Sequence, residues 1–138
     1  MDQAIVACST PPGRGAISVV RISGKEAKSI INNLFSLEFD HGTSKVAETN
    51  LLEGFNEKCL ISCFESPSSY TGEDVAEISC HGNPLIVRAL IQKCIELGAR
   101  NANPGEFTQR AFLNNKIDLA QSVAVIDLIN ASSSAAMV

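Results

Sequence analysis

The 138-residue chain contains no tryptophan, one tyrosine and only 5% aromatic residues. That scarcity excludes an aromatic platform on which single-stranded RNA bases stack. Positive charge is not in excess either. Eleven lysines and arginines stand against 15 acids, for a net charge of −4, so no global basic field draws in nucleic acid, and any RNA contact needs a local patch or a partner. No apolar run reaches the ~18 residues of a membrane span. Met1-Asp2-Gln3 is not the basic start of a signal peptide, and the expectation is a cytoplasmic protein with no membrane contact. The five cysteines (Cys8, Cys59, Cys63, Cys80 and Cys94) are odd in number and form no C-x-x-C. Neither a disulfide framework nor a zinc ribbon is expected, and the thiols read as small hydrophobes in a reducing compartment. The chain has no G-x-x-x-x-G-K-[ST] and no G-x-G-x-x-G, hence no nucleotide-binding loop of either kind. Two histidines without clustered acids leave no metal-ligand set.

What is present reads as alternating short elements. Ala4 to Cys8 is an apolar run, ended by the loop Ser9-Thr10-Pro11-Pro12-Gly13-Arg14-Gly15, and Ala16 to Ile22 is a strand rich in Ile and Val. Ser23-Gly24-Lys25-Glu26 reads as a capping box, followed by Ala27, Ile30, Ile31, Leu34 and Phe35 at helical spacing. Further strands are expected over Val46–Leu52, Cys59–Phe64 and Asp74–Cys80, with Phe55–Lys58 as a turn. Asn83-Pro84 starts a helix of about 14 residues that Gly98 ends. Asn103, Pro104 and Glu106 supply another cap, first-turn proline and capping acid. A last helix runs from Asp118 to Ala131 with Leu119, Val123, Ile126 and Ile129 inward. Little chain remains to cover that stripe, so it is expected to belong to a further domain or a partner subunit. Strands and helices without strict alternation predict an α+β domain with a mixed, largely antiparallel sheet and about three helices, over residues 1–117. Residues 118–138 then begin a helical domain.

Three charged residues stand out. Glu77 lies mid-strand among apolar neighbours, where a carboxylate is expensive unless paired. It reads either as a solvent-facing glutamate or as an acceptor for paired N–H donors of a ligand. Arg21 closes its strand and reads as a structural ion pair, with Glu77 as a candidate partner, or as an anion clamp. Lys116 follows Asn114-Asn115 at a helix break, as a solvated lysine or a point charge for a ligand carboxylate. The loop Thr10–Gly15 reads equally as a tight turn or as a backbone nest for an anion. Cys80 and His81 are adjacent on a strand and so point to opposite faces, which makes them a poor nucleophile–base dyad.

These residues fall within longer runs: Ile5-Val6-Ala7, Thr10 to Ile17, Val20 to Gly24, Ser69 to Asp74, His81 to Pro84 and, above all, Pro104-Gly105-Glu106-Phe107-Thr108-Gln109-Arg110-Ala111-Phe112-Leu113-Asn114-Asn115-Lys116-Ile117-Asp118-Leu119-Ala120-Gln121. In that order they resemble the N-terminal domain of the MnmE/TrmE family of tRNA modification GTPases; only Leu37 to Ser68 matches loosely. The resemblance implies a fold similar to the folate-binding domain of aminomethyltransferases, a homodimer, and a bound one-carbon folate such as 5-formyltetrahydrofolate. It implies Arg21, Glu77 and Lys116 as the folate-binding positions. It also implies a parent protein that continues into a helical domain carrying a GTPase domain with its GTP, Mg and K. With an FAD partner of the MnmG (GidA) type, that parent modifies the wobble uridine of tRNA. The alternatives are a purely structural dimerisation module and, with less support, an independent folate-dependent transferase.

Overall fold

The computed structural model describes residues 3–10, 13 and 15–136, with side chains described to Ala131. Six strands and four helices follow one another: β1 (Ile5–Cys8), β2 (Ile17–Ser23), α1 (Ala27–Phe35), β3 (Ser44–Leu52), β4 (Phe55–Phe64), β5 (Val75–His81), α2 (Pro84–Glu96), β6 (Arg100–Asn101), α3 (Glu106–Leu113) and α4 (Leu119–Ala136). The strands form one sheet in the order β3-β4-β5-β2-β1-β6. Every pairing is antiparallel except the short β1–β6 ladder. The fold is therefore α+β with a mixed, largely antiparallel sheet, as expected.

Period-two alternation divides the sheet into two faces. The inner face carries Val6, Val20, Ile22, Ile61, Ile78 and Cys80, all at most 4% exposed, and α1 and α2 cover it. Helix α1 buries Ala27, Ile30, Ile31, Leu34 and Phe35, the residues that the helical spacing singled out. Its nine residues make a rod of about 14 Å. That matches the roughly 14 Å of three strand spacings between β2 and β3, so the helix carries the chain across the inner face. Helix α2 returns it from β5 to β6 and buries Leu90 and Cys94. Its N-cap is as read: Asn83 Oδ1 accepts from the Leu85 N–H at 2.8 Å, with Pro84 in the first turn.

Several local readings are corrected. Ser23 is not a cap: it ends β2, and its hydroxyl bonds Thr71 and Glu73 at 2.7 and 2.8 Å, leaving α1 without a side-chain cap. Phe55–Lys58 is not a turn but the start of β4, because the two-residue turn Glu53-Gly54 already reverses the chain, with Gly54 at φ 75°. Helix α3 starts at Glu106, two residues later than Pro104, after Gly105. The capping acid nevertheless works as read, since Glu106 Oε1 accepts from the Asn103 N–H at 2.9 Å. In α4 the face toward the body is Ser122, Val125, Ile126 and Ile129, whereas Leu119 and Val123 are 61% and 48% exposed.

One end of the outer sheet face is covered by α3 and by the loop of residues 65–74, and buried charge holds them together. Arg110 is 1% exposed. Its Nη1 donates to Glu73 Oε1 at 3.0 Å and its Nη2 to the Gln3 carbonyl at 2.9 Å. Glu106, one turn earlier, lies 3.6 Å from Arg110 Nη2 and takes a bidentate pair from Arg100. Asn114, one turn later, donates to the Thr71 carbonyl at 2.9 Å. One stripe of α3 thus ties β1, β2, β6 and the loop into one unit.

Removing one partner of a buried charge network leaves the others unpaired. Arg110→Ala is expected to cost about 3–5 kcal/mol of stability, measured by urea denaturation. The hydrogen bonds from Arg100 hold the Glu106 carboxyl down at about 2 against burial, with help from the Asn103 N–H and from the Arg100 and Arg110 charges. A lowered folded pKa stabilises above the ordinary value of 4.5 and is lost as pH falls from there toward 2. Glu106→Gln is expected to flatten that acid limb in a stability-versus-pH series; an unchanged limb would contradict the assignment.

Candidate functional site

The register places Arg21 of β2 directly opposite Glu77 of β5, with Ser62 of β4 beyond Glu77 and Ala7 of β1 beyond Arg21. All four lie on the outer face, just below the part covered by α3. Arg21 Nε donates to Glu77 Oε2 at 3.0 Å, and Nη2 lies 3.0 Å from the same oxygen. The side chains are 22% and 28% exposed. Among the described residues, Glu77 Oε1 and Arg21 Nη1 have no hydrogen-bond partner, so each charged group keeps polar atoms free for a ligand.

Two aromatic rings flank the guanidinium: Tyr70 at 5.1 Å and Phe107 at 5.5 Å from ring centroid to Cζ. Tyr70 comes from the loop and Phe107 from the first turn of α3. The Tyr70 hydroxyl and Thr108 Oγ1 lie 2.9 Å apart and join the two supports. The loop is internally braced: Ser66 Oγ donates to the Gly72 carbonyl at 2.7 Å, and the Gly72 N–H donates to Ser69 Oγ at 3.0 Å. Beside this bracket lies an open cavity of about 500 Å³, lined by Arg21, Tyr70, Asn103, Phe107, Val125 and Ile129 among others. A flat ring system with polar edges suits it: aromatic faces for stacking, a guanidinium for an anion or carbonyl, and amide groups at Asn103.

Of the three residues singled out in the sequence, the fold brings two together. Lys116 is exposed on the turn after α3, and among the described residues it makes no ion pair with Glu77. Its Cγ lies 3.3 Å from the position a Cβ would take on Gly72, two residues from Tyr70. Asn115 serves the turn itself, at φ 60°, whereas Asn114 reaches the Thr71 carbonyl. Of the loop Thr10–Gly15, Pro11, Pro12 and Arg14 lie outside the described residues, and the nest reading with them.

Sequence reasoning did not single out Tyr70 and Phe107. The available signal was the only tyrosine in the chain, set in a Ser/Gly loop, and an aromatic in the first turn of α3. It also missed Glu57, which is 2% exposed and accepts from both the backbone N–H and Nδ1 of His81 at 2.8 Å. That contact takes His81 away from Cys80, whose buried thiol is pushed up to about 11 by desolvation first and by the Glu57 charge second. The pair is no dyad.

The class defined so far is an α+β domain with a charged pair and an aromatic bracket on one sheet face. Residues 4–116 match the family described as "GTP-binding protein TrmE N-terminus", and the chain belongs to that family. It is 48% identical over 132 residues to the tRNA modification GTPase MnmE of Francisella philomiragia subsp. philomiragia, covering 96% of this chain and 29% of that protein. It is 45% identical over 135 residues to the MnmE of Azoarcus sp. (strain BH72), covering 97% and 30%. With the MnmE of Neisseria meningitidis serogroup B it shares 46% over 133 residues, covering 96% and 30%. The chain thus spans somewhat under a third of the length of these relatives.

The thiols offer a check on the packing. Desolvation pushes Cys59 and Cys94 up to about 12 and raises Cys63 as well, and these three with Cys80 are buried, whereas Cys8 is half-buried. A thiol reagent at pH 8 is expected to modify Cys8 first in the native protein and all five thiols only after denaturation. Early modification of Cys59 or Cys94, read by peptide mapping, would contradict this packing.

Proposed function

We propose that residues 1–117 are the folate-binding and dimerisation domain of a tRNA modification GTPase, and that residues 118–138 open its helical domain. The observation that carries this reading is the Arg21–Glu77 pair set beside a cavity with two aromatic walls. A reduced pterin presents a flat amide–amidine edge, which the open oxygen of a carboxylate such as Glu77 receives through N–H donors. The acidic tail of the folate suits a cation, and Arg21 and Lys116 are the two candidates. 5-Formyltetrahydrofolate is the ligand proposed. The lower half of the outer sheet face supports a homodimer: Val46 and Leu60 face each other across β3 and β4 and are 54% and 44% exposed, with Ile17 nearby at 64%.

In this reading the parent protein works in the cytoplasm. GTP, Mg and K serve a separate GTPase domain, and an MnmG (GidA)-type FAD protein is the partner in modifying the tRNA wobble uridine. Among the described residues no helix is long and apolar enough to cross a membrane. A second reading, a structural dimerisation module, is favoured by the fact that Arg21 and Glu77 already satisfy each other in part.

Titration calorimetry with 5-formyltetrahydrofolate separates the two. Binding that Glu77→Ala weakens by about 10- to 100-fold, the worth of a hydrogen bond to a charged group, supports the folate site. A folded dimer that binds no folate, or a Glu77→Ala variant that binds as well as the native chain, favours the structural module.

A further inference from the structure

The cavity beside Arg21 is not closed by the sheet domain alone. Tyr70 and Phe107 line it together with Val125 and Ile129 of α4. Helix α4 lies against α3 by a narrow face. Ser122 is 4% exposed, Val125, Ile126 and Ile129 are half-buried, and the far side carries Leu119, Val123 and Leu128 at 61%, 48% and 69%. The seat is Gly105. Its φ of 76° disfavours a side chain, and a Cβ there would stand only 3.1 Å from Ile126 Cγ1. At its start α4 is fixed by a reciprocal cap: the Gln121 N–H donates to Asp118 Oδ1 at 2.7 Å and the Asp118 N–H to Gln121 Oε1 at 3.0 Å. Beyond that cap, the described residues that hold the helix are buried Ser122 and half-buried Val125, Ile126 and Ile129, a small apolar area, so little free energy separates docked from undocked α4.

We infer that a ligand in this cavity and the docked α4 hold each other in place, so that α4 reports occupancy of the Arg21 site to whatever follows it. A planar ligand filling the cavity along Arg21 touches the aromatic rings and covers Val125 and Ile129 on their open side. Apolar surface that α4 leaves wet in the empty state is then buried, and this favours the docked helix. By linkage the reverse holds: whatever pulls α4 off Gly105 removes one wall and weakens the ligand by the same factor. Because α4 begins at Leu119, three residues after Lys116, the same motion shifts the turn that carries Lys116. The inference rests on the folate reading for the identity of the ligand.

The test is hydrogen–deuterium exchange of the chain with and without saturating 5-formyltetrahydrofolate, together with calorimetry on the native chain, on Glu77→Ala and on the double variant Val125→Ala/Ile129→Ala. The double variant alters only half-buried positions of a peripheral helix, and its fold is checked by thermal melting. Coupling predicts slower exchange across residues 122–131 on binding and an affinity about tenfold weaker in the double variant. If folate binds and Glu77→Ala weakens it, while α4 exchange is unchanged and the double variant binds normally, the coupling is overturned and the folate site stands. If the native chain binds no folate, both fall together.

Discussion

The guanidinium of Arg110 lies buried between the carboxylates of Glu73 and Glu106, and the outer face of the sheet is organised around it. A charge so removed from water is tolerated only because Glu73, Glu106 and the carbonyls of Gln3 and Ser23 surround it. Those partners come from α3, from the loop before β5, from the chain just ahead of β1 and from the end of β2. Arg100 extends the network from β6 through Glu106. Satisfying this one side chain therefore fixes where α3 and the loop sit relative to four strands. Among the described residues its Nε has no hydrogen-bond partner, so the guanidinium is held through Nη1 and Nη2.

The position of the Arg21 site follows from that clamp. Tyr70 rides on the loop that Glu73 anchors, and Phe107 sits between Glu106 and Arg110 on α3. Holding both segments over β2 places two rings on the Arg21 guanidinium. The Arg21–Glu77 pair is itself partly solvated, and such pairs contribute about 1 kcal/mol or less. Stability is thus a weak reason for an arginine and a glutamate mid-sheet, which is why the proposed reading gives the pair a ligand. The covered half of the outer face is polar and held by charge, whereas the open half carries Val46, Leu60 and Ile17. In the proposed reading these halves serve ligand binding and association with a second chain.

The core was legible in the sequence because burial imposes simple periods. The α1 stripe, the Ile/Val run of β2, the alternation of β5 and the Asn83-Pro84 cap all appear where period and cap chemistry put them. What was not legible depended on partners distant in sequence. Ser23 has the residue type of a cap, but the buried hydroxyl of Thr71 claims it. Residues 55–58 look like a turn by composition, yet Glu53-Gly54 reverses the chain first, and Glu57 is usable in a strand because His81 meets it. The run from Pro104 to Gln121 stood out in the sequence, but the roles of its Arg110 and Asn114 lie in Glu73 and Thr71, more than 30 residues away. Arg21 and Glu77 were candidate partners as opposite charges set among apolar neighbours in two strands, whereas their register and their aromatic walls required the fold to be seen.

The Arg110 clamp sets the rings of Tyr70 and Phe107 against the Arg21 guanidinium. The most direct measurement is the set of NMR nuclear Overhauser contacts from the Arg21 side chain to the ring protons of Tyr70 and Phe107, in the native chain and in the Arg110→Lys variant. With Cζ at 5.1 and 5.5 Å from the two ring centroids, contacts to both rings are expected in the native chain, and loosening the clamp should weaken both. Absence of either contact in the native chain, or contacts unchanged after Arg110→Lys, would contradict a clamp that positions the rings.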